Sequence, residues 1–441
     1  MPIFGIDLGT TNSLIGLHSK KYLSDIVPSC VILETGEVGT DVFEDMHAAR
    51  SFKVDMSMGT EGIVPRSASS AVLKELARKA EKDTGIKVED VVISVPAYFG
   101  DSQRTATITA AESVGLKVKA LVNEPTAAAI YITEEMKGLY VIYDLGGGTF
   151  DCSIIDSRFG FYDVQATSGN KIGGDTFDKA IVKNFIKEGS IPIHHLDKLD
   201  MLELKHFASK MKVKMQKVMA PFTVDLTKWG GKEYTFTPKV YDTLMRMTFG
   251  ETINCMKKLV NKWIPENEMF SVLLVGGSTH CPFLQKYIEE SVNMKPAPLT
   301  YDPDRVVAQG AALYADIFEN GNIHTEISDV TKALGVGLFD GTVSNIVPAN
   351  SKIPLTLEKV FSNPEFTQSL IVDLYQGDAL LRKDNEHLGQ LVWTYDQPKQ
   401  AHEGQVIVKI SIDINGVITF SVNELLKPPK VVVLNRNAKE N

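Results

Sequence analysis

The chain has 441 residues, of which 44% are hydrophobic and 23% are charged, and its formal net charge is −9 at pH 7. This composition is typical of a globular protein of about two or three domains, and the acidic balance disfavours nonspecific binding to nucleic acid or anionic membranes. The four cysteines form no CxxC pair, which argues against a zinc site and against a disulfide framework. The sequence has no signal-peptide pattern and no apolar run of about 20 residues, so we expect a cytoplasmic protein.

The first predicted element is a hairpin over Phe4–Leu17, in which Asp7-Leu8-Gly9 ends a strand. Tyr140–Asp156 repeats this pattern, with Asp144 before a turn of three glycines and Asp151 after it. A glycine turn can approach a phosphate closely, and carboxylates beside it suit a hydrated divalent cation. One such hairpin alone is also typical of an ordinary turn. The second copy favours a duplicated lobe, with the two turns facing each other across a cleft.

Between the hairpins, the chain is strand-poor over Ser19–Thr60, where Lys53 by itself has the pattern of a surface residue. The elements predicted next are a helix over Pro65–Thr84, a strand over Val88–Val95, a helix capped by Asp101 and running to Ala111, and a strand over Lys117–Val122. Glu124 then lies at a strand-to-helix corner, where Pro125 fits the first helical turn. Its carboxylate suits either a functional role or compensation of the helix dipole.

Beyond the second hairpin, the patterns predict a glycine-rich stretch and several helices. The glycine-rich stretch is Ser168–Asp178, which opens a helix over Thr176–Lys187. The further helices are a lysine-rich one over Met201–Ala220, one from Pro282 and one over Val306–Phe318, and a strand is predicted over Phe270–Val275. The strand runs into Gly276-Gly277-Ser278-Thr279, and a glycine turn leading to a helix N-terminus is a ready anion site. The chain has no GxxxxGK[ST] motif, so any nucleotide that it binds is not held by a P-loop.

After about residue 320 the helical periodicity ends and short alternating runs begin. Strands are predicted over Leu355–Phe361, Ser369–Tyr375, Gln390–Tyr395, Gln405–Ile412 and Gly416–Val422. Turns such as Asn415-Gly416 separate these runs. The pattern indicates an all-β domain of roughly 100 residues.

Seven ordered motifs together resemble the seventy-kilodalton heat-shock (Hsp70) chaperones. They are Phe4–Leu17, Val91–Arg104, Leu121–Ile130, Tyr140–Asp156, Gly169–Asp178, Leu273–Thr279 and Asp302–Ala312. The runs LGVGLFDG, KIPLTLEKVFS, LYQG, LGQL and IDINGVITFSV are similar to the family's substrate-binding β-sandwich, so the resemblance covers nearly the whole chain up to Glu424. It implies an α/β fold: an actin-like (RNase H-like, duplicated) two-lobed ATPase domain over 1–320, a linker over 321–328, an all-β sandwich over 329–424, and a short tail over 425–441.

The resemblance also implies the cofactors and the site residues. The cofactors are ATP or ADP with Mg²⁺, and K⁺ as a further cation. The implied catalytic residues are Lys53, Glu124, Asp144, Thr149 and Asp151, and Asp7 and Asp144 would hold magnesium through water. The implied nucleotide-binding residues are Gly9, Thr10, Thr11, Asn12, Gly146, Gly147, Gly148, Gly173, Gly174, Lys212, Gly276, Gly277, Ser278, His280 and Asp304. The implied peptide-binding residues are Val336, Phe339, Phe361, Gln368 and Leu370.

Four departures from the family pattern matter. The region between Asp7 and Asp101 is short, which puts exchange-factor partners in doubt. His280 stands where an arginine usually stacks on adenine, and the lysine-rich helix aligns only through Ser209, Lys212 and Gln216. The chain ends soon after the sandwich, which predicts no helical lid. The linker from Ile323 to Ser328 lacks the family's leucine run, which predicts weak coupling between the domains.

The favoured function is an ATP-dependent chaperone that binds unfolded or extended hydrophobic polypeptides without a lid. A J-domain co-chaperone is an expected partner, and neither nucleic acid nor membrane is. An alternative is a virus- or particle-associated assembly protein that keeps the chaperone ATPase fold. A third interpretation, a filament or sugar-kinase relative of the actin-like fold, is disfavoured because such proteins lack the sandwich.

Overall fold

The computed structural model describes residues 2–43, 45, 47–57, 60–133, 137–159, 161–320 and 327–424. Most of the predicted linker and the whole predicted tail, 321–326 and 425–441, lie outside the described residues. The boundaries placed there, the missing lid and the weak coupling therefore stay predictions. Within the described part of the chain, no helix combines the length and apolar character needed to cross a membrane.

The N-terminal part of the chain forms a mixed sheet covered by helices. Its strands are β1 (Phe4–Leu8), β2 (Asn12–Leu17), β3 (Tyr22–Leu23), β4 (Val27–Pro28), β5 (Cys30–Ile32), β6 (Glu37–Val38), β7 (Ala49–Arg50), β8 (Asp90–Val95) and β9 (Lys117–Asn123). Its helices are α1 (Ile63–Thr84), α2 (Asp101–Glu112) and α3 (Glu124–Ile132). The main sheet has the order β3-β2-β1-β8-β9, with β4 on β2, and β5 to β7 form a small separate sheet.

A second mixed sheet with its own helices follows. Its strands are β10 (Leu139–Leu145), β11 (Phe150–Asp156), β12 (Tyr162–Asn170) and β15 (Ser271–Val275), and a hairpin is formed by β13 (Phe222–Val224) and β14 (Tyr234–Phe236). The helices are α4 (Gly174–Glu188), α5 (Lys198–Val218), α6 (Pro238–Trp263), α7 (Pro282–Val292) and α8 (Val306–Asn320). The strand order begins β15-β10-β11-β12.

The two sheets repeat one topology. In the first, β1 is antiparallel to β2 and parallel to β8. In the second, β10 is antiparallel to β11 and parallel to β15. The two Asp-Leu-Gly segments thus lie at equivalent ends of two equivalent strands. This repeat supports the predicted duplication, while the actin-like arrangement as a whole stays a prediction.

Helices α3 and α8 fill the space between the two sheets. Their small and aliphatic residues share one buried core with strands from both sheets. A Cβ on Gly310 would collide with the Ala127 carbonyl, and one on Gly5 would collide with the backbone at Ala312. Backbone therefore packs directly against backbone where α8 contacts α3 and where α8 contacts β1, and this close packing holds the two sheets together.

The C-terminal part is a β-sandwich. Its strands are β16 (Ile327–Thr331), β17 (Leu334–Gly337), β18 (Val343–Val347), β19 (Ser351–Ile353), β20 (Leu355–Ser362), β21 (Thr367–Gln376), β22 (Glu386–Lys399), β23 (Gln405–Ile412) and β24 (Ile418–Glu424). The sheets β18-β17-β21-β22 and β20-β23-β24 share one apolar core. Strand β16 pairs in parallel with β12 and antiparallel with β19, so the second sheet continues into the sandwich.

Two sequence expectations need correction here. Gly100, not Asp101, is the N-cap of α2. The buried Asp101 carboxylate instead accepts a hydrogen bond from Ile418 N at 2.9 Å, across to the sandwich. The long helix α6 was missed, although Thr237 caps it before Pro238 and its buried residues follow a helical spacing.

Candidate functional site

The two Asp-Leu-Gly turns meet face to face. A Cβ on Gly147 would collide with Thr11 Oγ1, and one on Gly148 would lie 2.7 Å from Thr10 Cγ2. The second turn is closed by its own backbone, since Gly146 N donates to Thr149 O at 3.0 Å. Only glycine allows the two turns to approach so closely, and residues of both turns line one common cleft.

A third glycine turn joins the other two. Gly276 has a φ of +82°, and its missing Cβ would lie 2.6 Å from Leu145 O. Ser278 Oγ donates to Gly146 O at 2.9 Å. Gly174, at the start of α4, donates its N–H to the same carbonyl at 3.0 Å. The predicted anion-binding segments from β10, β15 and α4 therefore lie together.

A cleft of about 310 Å³ opens between these turns and α5. Its lining includes Asp7, Gly9, Thr10, Thr11, Asn12, Asp144, Gly146, Gly147, Gly174, Gly276, Gly277, Ser278 and Asp304. Ser209, Lys212 and Gln216, from the lysine-rich helix, line it too. Lys212 Nζ lies 2.8 Å from the buried Asp178 carboxylate and 3.3 Å from Gly174 O. Gly173 lies beside the cleft and packs against the Gly147 backbone.

Lys53 is buried, although its local sequence has the pattern of a surface lysine. Only 3% of the residue is exposed, and its ammonium forms an ion pair with Glu124. The ammonium also lies 5.9 Å from the centroid of the Phe99 ring. The structure thus brings Lys53 from the N-terminal stretch to the strand-to-helix corner that carries Glu124.

Asp7, Asp144 and Asp151 complete a buried acidic group around this ion pair. Burial, with the neighbouring Glu124 carboxylate, raises the pKa of Asp7 to about 7 and the pKa of Asp151 to about 8. The same causes raise the pKa of Asp144 well above its usual range. Asp7 accepts a hydrogen bond from Ser94 Oγ at 2.9 Å, and Asp151 accepts one from Tyr98 N at 2.9 Å.

These carboxylates have too little positive charge around them. Burial penalises the charged forms, and Lys53 is one cation against four carboxylates. A divalent cation would offset that excess. Among the described residues, the group with metal-ligand atoms within 4.8 Å of one another is His280, Asp302 and Asp304, on the surface. Among the same described residues, Asp7, Glu124, Asp144 and Asp151 do not form such a group.

Two parts of the predicted site lie elsewhere. His280 is 45% exposed at its side chain, is not part of the cleft lining, and has Nε2 3.3 Å from Asp304. On the sandwich, Val336 belongs to the core, Phe361 and Leu370 pack partly against that core, and Phe339 and Gln368 are exposed. Thr149 is buried in the second turn, beside Asp144 and Asp151.

Sequence reasoning missed the contacts that join the sandwich to the two-sheet part. Arg104 Nη1 donates to Asn415 O at 3.0 Å, and Leu121 N donates to Asn415 Oδ1 at 2.9 Å. Thr167 N donates to Asn350 Oδ1 at 3.2 Å, and Lys352 bonds to Asp163. The signal available for the first contact was the predicted Asn415-Gly416 turn, because a turn asparagine has a side-chain amide that can bond to a neighbouring element.

Comparisons with known proteins agree with this geometry at the level of class and family. Glycine turns around a cleft, joined to a β-sandwich, are the features of an ATP-binding chaperone of the heat-shock class. A family model described as Hsp70 protein matches residues 33–437, and the chain belongs to the Hsp70 family.

Two relatives show the extent of the similarity. The chain is 30% identical to the chaperone protein DnaK of Mycoplasmoides gallisepticum, over 99% of this chain and 81% of that protein. It is 33% identical to the chaperone protein DnaK of Mycoplasmopsis pulmonis, over 96% of this chain and 76% of that protein. The expectations of an Hsp70-family chaperone and of ATP binding are thus confirmed.

Proposed function

We propose that the chain is a magnesium-dependent ATPase of the Hsp70 chaperone type, with an actin-like two-lobed ATPase domain. The observation that carries this proposal is the buried group of Asp7, Glu124, Asp144 and Asp151 around Lys53, at the point where two glycine turns meet. Phosphoryl transfer needs positioning and charge neutralisation more than covalent chemistry. A buried acidic group beside phosphate-sized turns supplies both when a cation is bound.

The roles divide between the turns and the side chains. Backbone N–H groups around Gly9 and Gly147 would bind phosphate oxygens, and Thr10, Thr11 and Thr149 would add hydroxyl donors. Asp7 and Asp144 would hold hydrated Mg²⁺, which when bound neutralises phosphate charge. Lys53, held by Glu124, would orient the attacking water, and Asp151 would accept a hydrogen bond from it.

The sandwich is proposed to bind an extended hydrophobic peptide. Phe339 is 86% exposed in the turn after β17, and Leu370 lies half-buried on β21, so an apolar side chain is offered at each place. A peptide would pair with backbone edges and place one apolar side chain between them. No described feature favours the alternative assembly function.

Asp151→Asn tests the ATPase proposal. The amide still accepts the Tyr98 N–H bond but has no charge, so we expect ATP binding to persist and single-turnover hydrolysis to fall by about two orders of magnitude. The matched control is Asp156→Asn, a buried aspartate at the other end of the same strand, paired with Arg158. Equal rates for both variants, or no hydrolysis by the unmodified chain, would contradict the proposal.

A further inference from the structure

Three side chains with metal-ligand atoms meet beside the cleft, away from the buried acidic group. His280 Nε2 lies 3.3 Å from Asp304 Oδ2 and 3.8 Å from Asp302 Oδ1. One ligand atom from each residue lies within 4.8 Å of the other two, and the described part of the chain has no second group of three His, Cys, Asp or Glu side chains that meets this condition. Asp304 also lines the cleft, so the group adjoins it.

Two segments that are separate in the sequence bring these side chains together. The histidine ends the short helical turn that follows β15, and the two aspartates come just before α8. Gly276 N donates to Pro303 O at 3.1 Å, and a Cβ on Gly277 would lie 2.5 Å from Asp304 Oδ1. Backbone contacts between the segments therefore set the distance from the imidazole to the carboxylates.

The group has a nitrogen ligand as well as oxygen ligands, which separates it from an ordinary acidic surface. A histidine beside one carboxylate is found elsewhere in the chain, where His387 Nε2 lies 3.2 Å from Asp373 Oδ1. Beside the cleft, a second carboxylate joins the pair. Asp304 N donates to Asp302 Oδ1 at 3.0 Å, and Arg305 Nε lies 3.5 Å from Asp302 Oδ2. Outer contacts of this kind orient a ligand for a metal ion.

The spacing of the ligand atoms fits a zinc ion. Zinc takes histidine nitrogen and carboxylate oxygen at about 2.0–2.2 Å, so neighbouring ligands in a tetrahedron are about 3.3–3.6 Å apart. The distances of 3.3 Å and 3.8 Å from the imidazole lie within a few tenths of an ångström of that range. Imidazole suits zinc and similar transition metals, whereas magnesium prefers oxygen ligands and keeps its water.

We propose that His280, Asp302 and Asp304 form a site for a divalent transition-metal ion, with zinc as the best fit. Three protein ligands leave a fourth position for water or for a molecule in the adjoining cleft. The site is separate from the magnesium ion proposed for Asp7 and Asp144. No nucleotide takes part in it, so it holds or fails independently of the proposed ATPase function.

Calorimetric titration of Zn²⁺ into the full chain, without nucleotide and with excess Mg²⁺, tests the proposal. The Mg²⁺ competes for the cleft carboxylates, which offer oxygen ligands alone. We expect one Zn²⁺ per chain. His280→Gln and Asp302→Asn each remove one ligand and should weaken binding at least tenfold. All three ligand residues are at least partly exposed, so the variants should fold, and circular dichroism checks this.

Two control variants test competing histidines. His387→Gln removes a histidine that has one carboxylate partner, and should bind Zn²⁺ as the unmodified chain does. The double variant His194→Asn with His195→Asn removes two rings whose centroids are 4.4 Å apart, and should also leave binding unchanged.

Co²⁺ in place of Zn²⁺ gives a second readout, because a tetrahedral Co²⁺ site absorbs visible light strongly. The band should be lost in His280→Gln and Asp302→Asn and kept in both controls. The proposal would be overturned by an unmodified chain that binds no Zn²⁺, by equal affinity in His280→Gln and Asp302→Asn, or by loss of binding in the histidine-pair variant.

Discussion

The predicted site at the cleft and the predicted site on the sandwich differ in the burial of their residues. Beside the cleft, Lys53, Glu124 and Asp151 come from three distant stretches of the chain, and all are buried. On the sandwich, Phe339 is 86% exposed while Val336 lies in the core. The cleft gathers charges away from water, whereas the sandwich offers separate apolar side chains. Single substitutions should therefore have large effects in the cleft and graded effects on the sandwich.

Thr149→Ala is expected to give the largest effect among the neutral substitutions. Removing a preorganised hydroxyl beside the phosphates should lower kcat about a hundredfold and leave ATP binding nearly intact. Rapid-quench measurement of a single turnover, with binding by calorimetry, checks this. The control is Thr133→Ala, equally buried but at the end of α3, where its hydroxyl bonds to Ala129 O. A cleft that tolerates Thr149→Ala would not have the proposed chemistry.

On the sandwich, Leu370→Asp should weaken binding of a hydrophobic peptide more than tenfold, and Phe339→Ala should weaken it several-fold. Fluorescence anisotropy of a labelled peptide measures both, with circular dichroism to show that the fold is intact. Phe366→Ala is the matched control, since Phe366 is 61% exposed on the same domain but outside the predicted groove. If Phe366→Ala weakens binding as much as Phe339→Ala, the groove is misplaced.

The acidic group of the cleft should make the nucleotide-free protein less stable as the pH rises. Asp7 and Asp151 have pKa values of about 7 and about 8 in the folded chain, against about 3.9 for a free aspartate. Between about pH 4 and pH 8 the folded chain holds protons that the unfolded chain has lost, so the free energy of unfolding falls as the pH rises. Thermal unfolding at about pH 6 and about pH 8.5 measures the fall.

Asp151→Asn should flatten that pH dependence and raise Tm by several degrees at the higher pH. Asp156→Asn should not flatten it: burial raises the pKa of Asp156, but the bonds from Arg158 lower it overall. A Tm that rises with pH, or a slope unaffected by Asp151→Asn, would show that these carboxylates are already neutralised in the free protein.

The smallest effect is expected at His280, which lies beside the cleft residue Asp304. His280→Arg should tighten ATP binding by a few-fold, because a guanidinium stacks more strongly on a base than a mostly neutral imidazole does. Calorimetry with Mg²⁺ measures the change. Since His280 lies beside Asp304 and is not part of the cleft lining, an unchanged affinity would mean that other groups hold the base.

What could be predicted from the sequence depended on the range of the interaction. The Asp-Leu-Gly hairpins are local patterns, and the structure has them as β1–β2 and β10–β11. Only its order in the chain indicated a role for Lys53, because the sequence around a lone lysine looks the same whether the lysine is solvated or paired. Its partner Glu124 is 71 residues away, and only the fold brings the two together.

The joint between the sandwich and the sheets was beyond prediction for the same reason. Asp101 has the pattern of a helix cap, yet its carboxylate accepts a bond from Ile418, 317 residues away. Strand β16, with the sequence ISDVT, has no apolar alternation that would predict a strand. Its pairing with β12 uses backbone groups, which leave no pattern in the sequence. The sequence around Lys332 likewise gave no sign that its ammonium lies 5.7 Å from the centroid of the Tyr98 ring.

The central claim is that the cleft binds and hydrolyses ATP with magnesium. Titration of ATP into the unmodified chain by calorimetry, with and without Mg²⁺, followed by phosphate release from the same samples, tests it most directly. We expect one site per chain, tighter binding with Mg²⁺, and slow release of phosphate that requires Mg²⁺. No binding heat for ATP in the presence of Mg²⁺ would contradict the claim.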